Sequence, residues 1–450
     1  MADGARVAIV GGGLLGMTLA LRLHAAGLRV LIIEASAEPG GLAASQTLAG
    51  YTWDRFYHVT LLSDGALRAL LEELDLADRL RWGYTRTGFY TDGELHSLST
   101  TLEFLRFPAL GLVDKARLAA TILRAAGIRD WRPLEQETAE TWLIRWSGRR
   151  TYERIWRPLL RSKLGENAEL ASAAFIWAII ARMYAARRSG LKREMFGYVD
   201  GGYAIVLERF RRVLTQAGVE FHCGQPAVNV HSDGHLATVA LADGRSVTCD
   251  HAVLSVPCGQ ISALCPQLQQ AEHARLRSVV YQGIVCPSLL LRRPLAGYYV
   301  TNITETWVPF TAVIEMTALV DRGRFDGHSL VYLPRYATQS DPLWARPDAE
   351  VLAEFLDALR RMYPDLAASD VVASQVARAR DVLALSTRHY TERSLPAART
   401  SLRNVFLVNS AQIAHGTLNV NETVELANAK ASEILPMLSA PRSTAVEAAS

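Results

Sequence analysis

Four side chains of this sequence could transfer a proton or hold an ion near neutral pH. His58 and His389 could act as general bases because an imidazole changes charge near neutral pH, and a structural role is the alternative for both. Glu315 interrupts an apolar run, and a buried acid needs a partner, so it either bonds to the protein or faces a substrate. Lys163 is either a site residue or a cation that complements a helix end. These residues are weak candidates, and the sequence leaves the catalytic residues open.

Motifs for nucleophilic or metal-dependent catalysis are missing from the sequence. It contains no H-E-x-x-H, no G-x-S-x-G and no P-loop. Its five cysteines are an odd number without a C-x-x-C pair, which is typical of reduced thiols rather than of disulfides or a zinc site. We therefore expect no metal centre.

Three spaced glycines near the N-terminus predict a dinucleotide site. An apolar strand pattern leads into Gly11, a helix-compatible stretch follows, and a second apolar run ends at Glu34. Gly11 permits the tight turn, Gly13 lets the backbone approach a pyrophosphate, and Gly16 lets the helix pack on the sheet. Glu34 can accept hydrogen bonds from a ribose diol. The residues predicted to face the dinucleotide here are Gly11, Gly13, Leu14, Leu15, Gly16, Glu34 and Ala35.

A second glycine pair, Gly40-Gly41, follows the acid and narrows the nucleotide to FAD. This segment resembles the N-terminus of the flavin amine oxidase and protoporphyrinogen oxidase superfamily, which also includes UDP-galactopyranose mutase. Relatives often carry a basic residue two places before the pair, where this chain has Glu38, so one possible phosphate contact is lost. The resemblance implies FAD beside Gly40, Gly41 and Leu42. Because no Cys or His matches an attachment motif, we expect non-covalent binding.

The C-terminal segment resembles the last flavin motif of that superfamily. There a helix N-terminus points at the pyrimidine end of the isoalloxazine and stabilises the negative charge of the reduced ring. Asn421 is a good N-cap, so we expect it to cap this helix. Relatives commonly have Gly-Asp where this chain has Asn409-Ser410, and Asn409 could hydrogen-bond there without charge. The resemblance assigns to the flavin Asn409, Ser410, Asn419, Val420, Asn421 and Thr423, and to the adenine the backbone near Val228.

Residues 283–390 show strand patterns with an embedded helix at 348–362. This block resembles the antiparallel sheet that covers the flavin in the superfamily. The residues predicted to line a substrate cavity under it are Tyr299, Trp307, Phe310, Tyr332, Arg335 and Tyr336.

The elements that position these residues form one discontinuous domain, which is built from three segments of the chain. Two insertions separate these segments. We expect an α/β fold: a discontinuous Rossmann FAD-binding domain of the glutathione-reductase type, with an α+β substrate domain. The predicted parts are an FAD-binding domain at 1–62, 197–262 and 400–437, a mostly helical insertion at 63–196, an antiparallel-sheet substrate domain at 263–399, and a disordered tail at 438–450.

Composition limits the function classes. The chain has 450 residues, of which half are hydrophobic, and a net charge of +3 that is too small to argue for nucleic acid. The segment before the first strand is short and polar, and the most apolar segment, 168–184, is too short to span a bilayer. We expect a cytoplasmic protein with a small-molecule substrate, no nucleic-acid partner and no transmembrane segment. The oligomeric state stays open.

A group of arginines near three tryptophans allows two interpretations. It could be an anionic site for a diphosphate or a membrane surface, since arginine grips phosphate with two nitrogens, or an ordinary solvated helix face. The arginines are Arg145, Arg149, Arg150, Arg154, Arg157 and Arg161, near Trp142, Trp146 and Trp156.

Four functions follow as hypotheses. The first is an FAD-dependent oxidoreductase in which a small organic substrate gives a hydride to flavin N5, as the resemblance to amine and protoporphyrinogen oxidases implies. The second is a non-redox flavoenzyme acting on a sugar nucleotide, as in UDP-galactopyranose mutase. The third is a flavin-binding protein without catalysis. The fourth, NAD in place of FAD, predicts a colourless protein.

Overall fold

The computed structural model describes residues 4–185, 194–414 and 417–439. Its strands are β1 (Arg6–Val10), β2 (Arg29–Ile33), β3 (Ser45–Leu48), β4 (Tyr51–Asp54), β5 (Leu80–Tyr84), β6 (Thr87–Thr91), β7 (Glu94–Ser97), β8 (Met195–Val199), β9 (Glu220–His222), β10 (Ala227–Ser232), β11 (Ala237–Leu241), β12 (Ser246–Cys249), β13 (His251–Leu254), β14 (Tyr281–Leu291), β15 (Val300–Ile303), β16 (Ala312–Glu315), β17 (Ser329–Tyr332), β18 (Arg335–Ala337), β19 (Val371–Ala384) and β20 (Val405–Leu407). Its α-helices are α1 (Leu14–Ala25), α2 (Gly65–Glu73), α3 (Thr101–Arg106), α4 (Leu112–Gly127), α5 (Ala139–Ser147), α6 (Arg149–Thr151), α7 (Arg157–Leu164), α8 (Ala173–Ala185), α9 (Tyr203–Ala217), α10 (Cys258–Leu264), α11 (Gln270–Ser278), α12 (Asp348–Met362), α13 (Tyr390–Arg393) and α14 (Val420–Leu438).

A five-stranded parallel sheet in the order β20-β13-β1-β2-β9 carries the N-terminal glycine loop. Val10 of β1 lies beside Ile33 of β2 and Leu254 of β13, so these three strands end at one edge. Ligands of open α/β sheets bind at such an edge. The predicted α/β class is confirmed. The sheet takes its strands from all three segments assigned to one domain, and the domain boundaries themselves stay a prediction.

A second sheet covers the carboxyl edge of the first; we call it the roof sheet. Its order is β18-β14-β17-β16-β15-β6-β7, with β19 paired to β14. One face carries Ile284 and Ile314, and the other packs against α12 through residues such as Val313 and Phe355. Because neighbouring strand residues point to opposite faces, this register decides which side chains reach the space between the sheets.

The insertion at 63–196 is less helical than we predicted. Residues 80–97 form β5, β6 and β7, and β6 pairs in parallel with β15 of the roof sheet. Asp92 and Gly93 have φ of +53° and +79° and form the turn between β6 and β7. Asp-Gly is a known hairpin pair, so the sequence did contain this signal.

Helices α4, α5, α7 and α8 of the insertion form a helical layer, in which α4, α5 and α8 pack around Trp142 and Phe175. Helix α7 contacts the roof sheet at β18, and the Thr311 hydroxyl donates a 2.8 Å hydrogen bond to the Ser162 carbonyl. The helical layer is therefore fixed to the roof sheet near the end of α7.

Helix α14 runs further than the predicted tail allows. It ends at Leu438, which is 1% exposed, so the disordered tail does not begin at 438. Residues 440–450 of the predicted tail lie outside the described residues.

Candidate active site

A cavity of about 1110 Å³ lies between the carboxyl edge of the parallel sheet, the roof sheet and the helical layer. Ligand pockets usually measure about 300–1,000 Å³. This cavity therefore has room for an elongated ligand together with a second, smaller molecule.

The two glycine loops meet at the sheet end of the cavity. The Gly40 amide donates a 2.9 Å hydrogen bond to the Gly12 carbonyl, and a Cβ on Gly41 would lie 3.1 Å from the Gly13 Cα. Gly11 has φ of +113°, and a Cβ on Gly16 would lie 2.0 Å from the Gly11 carbonyl oxygen. The spacing therefore serves two needs, close helix–strand packing at Gly16 and bare backbone where the loops meet.

The N-terminus of α1 opens into this end of the cavity. Gly13 is its N-cap, and among the described residues no side chain caps it and no acid lies in its first turn. The free N–H groups and the helix dipole favour an anion at this position. The loop fits a pyrophosphate.

Glu34 lies in the cavity wall and is held by backbone N–H groups. Its Oε2 accepts from the Gly12 amide at 2.7 Å, and its Oε1 accepts from the Ser36 amide at 2.8 Å. Carboxylate oxygens can accept further hydrogen bonds. Glu34 is therefore positioned for the hydroxyls of a ribose next to the glycine loop.

The segment predicted to contact the adenine lies beside Glu34 at the edge of the cavity. Val228 is 52% exposed and lies outside the cavity wall, which contains Pro226 and Ala227 instead. The adenine contact of the backbone near Val228 stays a prediction.

The helix at the other end of the cofactor region begins at Val420, and its N-cap is Asn419. The Asn419 side chain accepts a hydrogen bond from the Glu422 amide at 3.1 Å. Asn421 as N-cap was wrong: it is 6% exposed and its Oδ1 accepts from the Leu67 amide at 3.0 Å, which ties α14 to α2. Both asparagines suit an N-cap, so the sequence alone could not choose between them.

Asn409 supports the loop that leads to this helix. Its Oδ1 accepts from the Ala411 amide at 3.1 Å, and its Nδ2 donates to the Val256 carbonyl at 2.8 Å. The residues predicted from this segment that do line the cavity are Asn409, Ser410, Asn419, Val420 and Thr423.

Comparison with known proteins decides the family. The model for flavin-containing amine oxidoreductases matches residues 16–435. The chain belongs to this family. It is thus an FAD-dependent oxidoreductase, and the glycine loops and the N-terminus of α14 fit a flavin dinucleotide.

Solved structures show the same fold at low sequence identity. A provisionally named protoporphyrinogen oxidase from Exiguobacterium sp. 255-15 is 18% identical, with a TM-score of 0.76 over 97% of this chain and 99% of that one. A reduced UDP-galactopyranose mutase is 16% identical, with a TM-score of 0.73 over 96% of this chain and 94% of that one.

A match by sequence covers a shorter segment. An uncharacterized protein encoded in the nifH2 3′ region of Methanothermococcus thermolithotrophicus is 42% identical over 67 residues, which span 15% of this chain and 65% of that relative.

His58 lies in the cavity wall of this flavoprotein. Its Nδ1 is 3.5 Å from Oδ2 of Asp54, a carboxylate that is 2% exposed and accepts a 2.6 Å hydrogen bond from the Tyr203 amide. The structure thus brings His58 to the site and places a buried acid behind it, an arrangement that suits proton transfer.

Two of the six predicted roof residues, Tyr299 and Tyr336, line the cavity. The Tyr336 and Tyr57 hydroxyls are 3.0 Å apart, and burial raises the pKa of Tyr57 well above its usual value. Tyr299 is 4% exposed, and its hydroxyl finds no hydrogen-bond partner among the described residues. Burial raises the pKa of Tyr299 as well, so the Tyr57 and Tyr299 hydroxyls stay protonated near neutral pH.

The other four roof predictions were wrong, because these side chains pack within the protein. Phe310 stacks on Phe355 of α12, and the Tyr332 hydroxyl donates to the Asp54 carbonyl at 2.6 Å. Trp307 lies under the Arg361 guanidinium, whose carbon is 3.9 Å from the ring centroid. Arg335 donates to the Pro309 carbonyl at 3.3 Å and pairs with Asp341 at 3.5 Å.

Glu315 and His389 have structural roles. The Glu315 oxygens accept from the Leu295 and Gly297 amides at 3.0 Å each, and burial raises the pKa of this acid. His389 has φ of +56°, begins α13 and lies 3.6 Å from Glu392. Neither lies in the cavity wall, so the structural alternative holds for both.

Lys163, a candidate from the sequence, does line the cavity. Its Nζ is 5.0 Å from the Tyr336 ring centroid.

Two features of the site were not predicted from the sequence: Tyr57 and the apolar side of the cavity formed by the helical layer. The only available indication of the latter was the helical spacing of apolar residues at Ile122, Leu159, Leu160, Ile176, Ile179 and Ile180.

The arginine group is an outward helix face. Five of its members pair with acids: Arg145 with Glu137, Arg149 with Glu153, Arg150 with Asp114, Arg154 with Asp92 and Arg161 with Glu169. All six lie outside the cavity wall.

The structure also shows the state of the cysteines, the potential metal ligands and the helices that could span a membrane. All five cysteines are free, and burial raises the pKa of Cys265 to about 12. Within the described residues no cluster of potential metal ligands occurs, and none of the helices there combines the length and apolarity that a bilayer span requires.

Proposed function

We propose that this protein oxidises a small organic substrate and holds FAD non-covalently, which would supply its N5 as the hydride acceptor. One observation carries the proposal: a single cavity is lined by both glycine loops at one end and by Tyr299, Tyr336 and His58 at the other. FAD, when bound, supplies the hydride acceptor, and the protein supplies binding and orientation.

The parallel sheet with its glycine loop would be the glutathione-reductase-type FAD-binding domain. The amides at the start of α1 and the bare backbone of Gly13 and Gly41 would hold the pyrophosphate, and Glu34 would hold the adenine ribose. The N-terminus of α14 would lie beside the isoalloxazine and stabilise negative charge on it.

The remaining wall orients the substrate. The helical layer contributes apolar side chains that keep water out, and low polarity strengthens each polar contact made there. His58, supported by Asp54, is the group best placed to take up or release a proton, while the tyrosine hydroxyls orient the substrate through hydrogen bonds.

The test is anaerobic mixing of the purified holoprotein with a panel of amines, porphyrinogens and sugar nucleotides. We expect at least one compound to bleach the visible absorption of the flavin and to be recovered in oxidised form. An isomerised sugar nucleotide without net change in the flavin would instead support mutase chemistry. A flavin spectrum that no compound alters would support a binding protein without catalysis, and a colourless protein would support NAD.

Mutase chemistry has one structural neighbour in its favour but lacks the expected arginines. Of the arginines in the described residues, the cavity wall contains Arg182, which already pairs with buried Asp64 at 3.0 and 3.1 Å. We therefore prefer the oxidoreductase.

Non-covalent binding has its own test: acid precipitation of the protein should release the flavin into solution. A cytoplasmic location stays a prediction.

A further inference from the structure

Lys163 differs from the other charged groups of the cavity wall because it has no counter-charge. It stands near the end of α7, half-buried and above the Tyr336 ring. Among the described residues, no carboxylate oxygen lies within 4.0 Å of its Nζ, and no hydrogen-bond acceptor is in reach.

The other ionic groups of the wall are already engaged. Arg182 pairs with Asp64, and Glu34 is held by two backbone amides. Glu194 accepts a 2.5 Å hydrogen bond from the Thr87 hydroxyl. Burial raises the pKa of Asp381, which favours its uncharged form. Within the part of the cavity wall that the structure describes, Lys163 is therefore the cation that remains available to a ligand.

Hydroxyl donors surround this end of the cavity. Tyr57, Tyr299 and Tyr336 pack in one cluster, and the Tyr57 and Tyr336 hydroxyls contact each other. The buried Tyr299 hydroxyl has no partner among the described residues, and an unpaired buried hydroxyl is costly. A ligand atom that accepts hydrogen bonds would satisfy it.

The wall contributed by the helical layer has the opposite character. Apart from Lys163 and Arg182, it is mainly aliphatic or aromatic, with Ile122 of α4, Trp156 just before α7, Leu159 and Leu160 of α7, and Ile176, Ile179 and Ile180 of α8. A ligand that fills this side has to be apolar along its length, because polar groups there would lose their hydration.

We propose that Lys163 binds a carboxylate of an otherwise apolar substrate, an inference that rests on the proposed oxidoreductase function. One lysine matches the single charge of a carboxylate, whereas a phosphate usually recruits several cations or a two-pronged arginine contact. A substrate ammonium placed near Lys163 would be repelled, which argues against simple cationic amines as substrates.

The test is calorimetric binding of decanoate, decanol and decylamine to the holoprotein, below their micelle-forming concentrations. We expect wild-type protein to bind decanoate more tightly than decanol and decylamine. In K163Q, decanoate should bind at least about tenfold more weakly, while decanol should be unaffected. K163R should restore most of the decanoate affinity, and K430Q, at a lysine of α14 that pairs with Glu433 outside the cavity wall, should leave it unchanged.

Two results would overturn the proposal: decanoate that binds wild-type protein and K163Q equally well, or decanoate that does not bind wild-type protein at all. Thermal melting of K163Q shows whether the variant is folded. Because calorimetry does not require flavin turnover, a yellow protein without Lys163 dependence contradicts this inference alone. A protein that takes up no flavin contradicts the proposed function instead.

Discussion

Gly13 and Gly16 are three residues apart and differ in the space that a side chain would have at each position. A Cβ on Gly16 would meet the Gly11 carbonyl oxygen at 2.0 Å, whereas a Cβ on Gly13 would meet the Gly41 Cα at an ordinary 3.8 Å. Gly13 also has φ of −70°, which any residue can adopt. The structure therefore assigns Gly16 to packing and leaves Gly13 free of any packing requirement, as expected of a position that a ligand approaches.

This difference predicts opposite effects of two alanine substitutions. G16A should lower the free energy of unfolding of the flavin-free protein by about 2 kcal/mol or more, because backbone atoms must move. G13A should leave that free energy within about 1 kcal/mol of wild type yet weaken FAD binding at least about tenfold. Urea unfolding and flavin titration measure the two quantities, with G127A as a control in open space at the end of α4. Unchanged FAD affinity in G13A would contradict the assigned loop.

Glu422 in the first turn of α14 predicts a pH dependence of stability. Burial, followed by the nearby Glu425, raises the pKa of Glu422 to about 6. The folded state therefore binds this proton more tightly than the unfolded state. Below the unfolded pKa the acid is neutral in both states, and as pH rises through about 6 its ionisation destabilises the fold.

E422Q should therefore be more stable than wild type by about 1 kcal/mol at pH 8 and equally stable at pH 4. Urea unfolding at both pH values measures this. A stability difference that is the same at pH 4 and pH 8 would show that Glu422 does not titrate in this way.

At the scale of elements, the two asparagines at the start of α14, Asn419 and Asn421, have separate structural roles. Asn419 caps the helix and lines the cavity, while buried Asn421 accepts from the Leu67 amide of α2 and donates to Glu425. Asn421 thus fixes the start of the helix to α2, while Asn419 caps the helix at the cavity wall.

N421A should destabilise the protein by about 1–3 kcal/mol because the Leu67 amide loses its buried acceptor, while the flavin spectrum stays unchanged. N419A should cost about 1 kcal/mol through the lost cap and should also shift the flavin absorption. Thermal melting and visible spectra of the two holoproteins measure these effects. The reverse pattern would place Asn421 at the flavin after all.

Elements with strong local patterns were predictable from the sequence. The helix expected at 348–362 is α12, and the Asp243-Gly244 turn joins β11 to β12. The faces of the roof sheet were not predictable. Tyr299 reaches the cavity while Phe310 packs on α12, and this depends on strand register and on how two distant segments stack.

At the scale of the molecule, three distant parts of the chain build one cavity. The parallel sheet supplies one end, where the glycine loops meet, and the glycine spacing indicated this loop because it reflects local backbone requirements. The roof sheet and the helical layer supply the other end, where Lys163 meets Tyr336 only through tertiary packing. No local sequence pattern encodes that contact, so the residues on the substrate side of the site could not be predicted from the sequence.

The most direct test of this account is a crystal structure of the protein with FAD. We expect the pyrophosphate at the start of α1, the adenine ribose within hydrogen-bond distance of Glu34, and the isoalloxazine between the N-terminus of α14 and the tyrosine cluster. FAD bound in the opposite direction, or no flavin in the cavity, would contradict it.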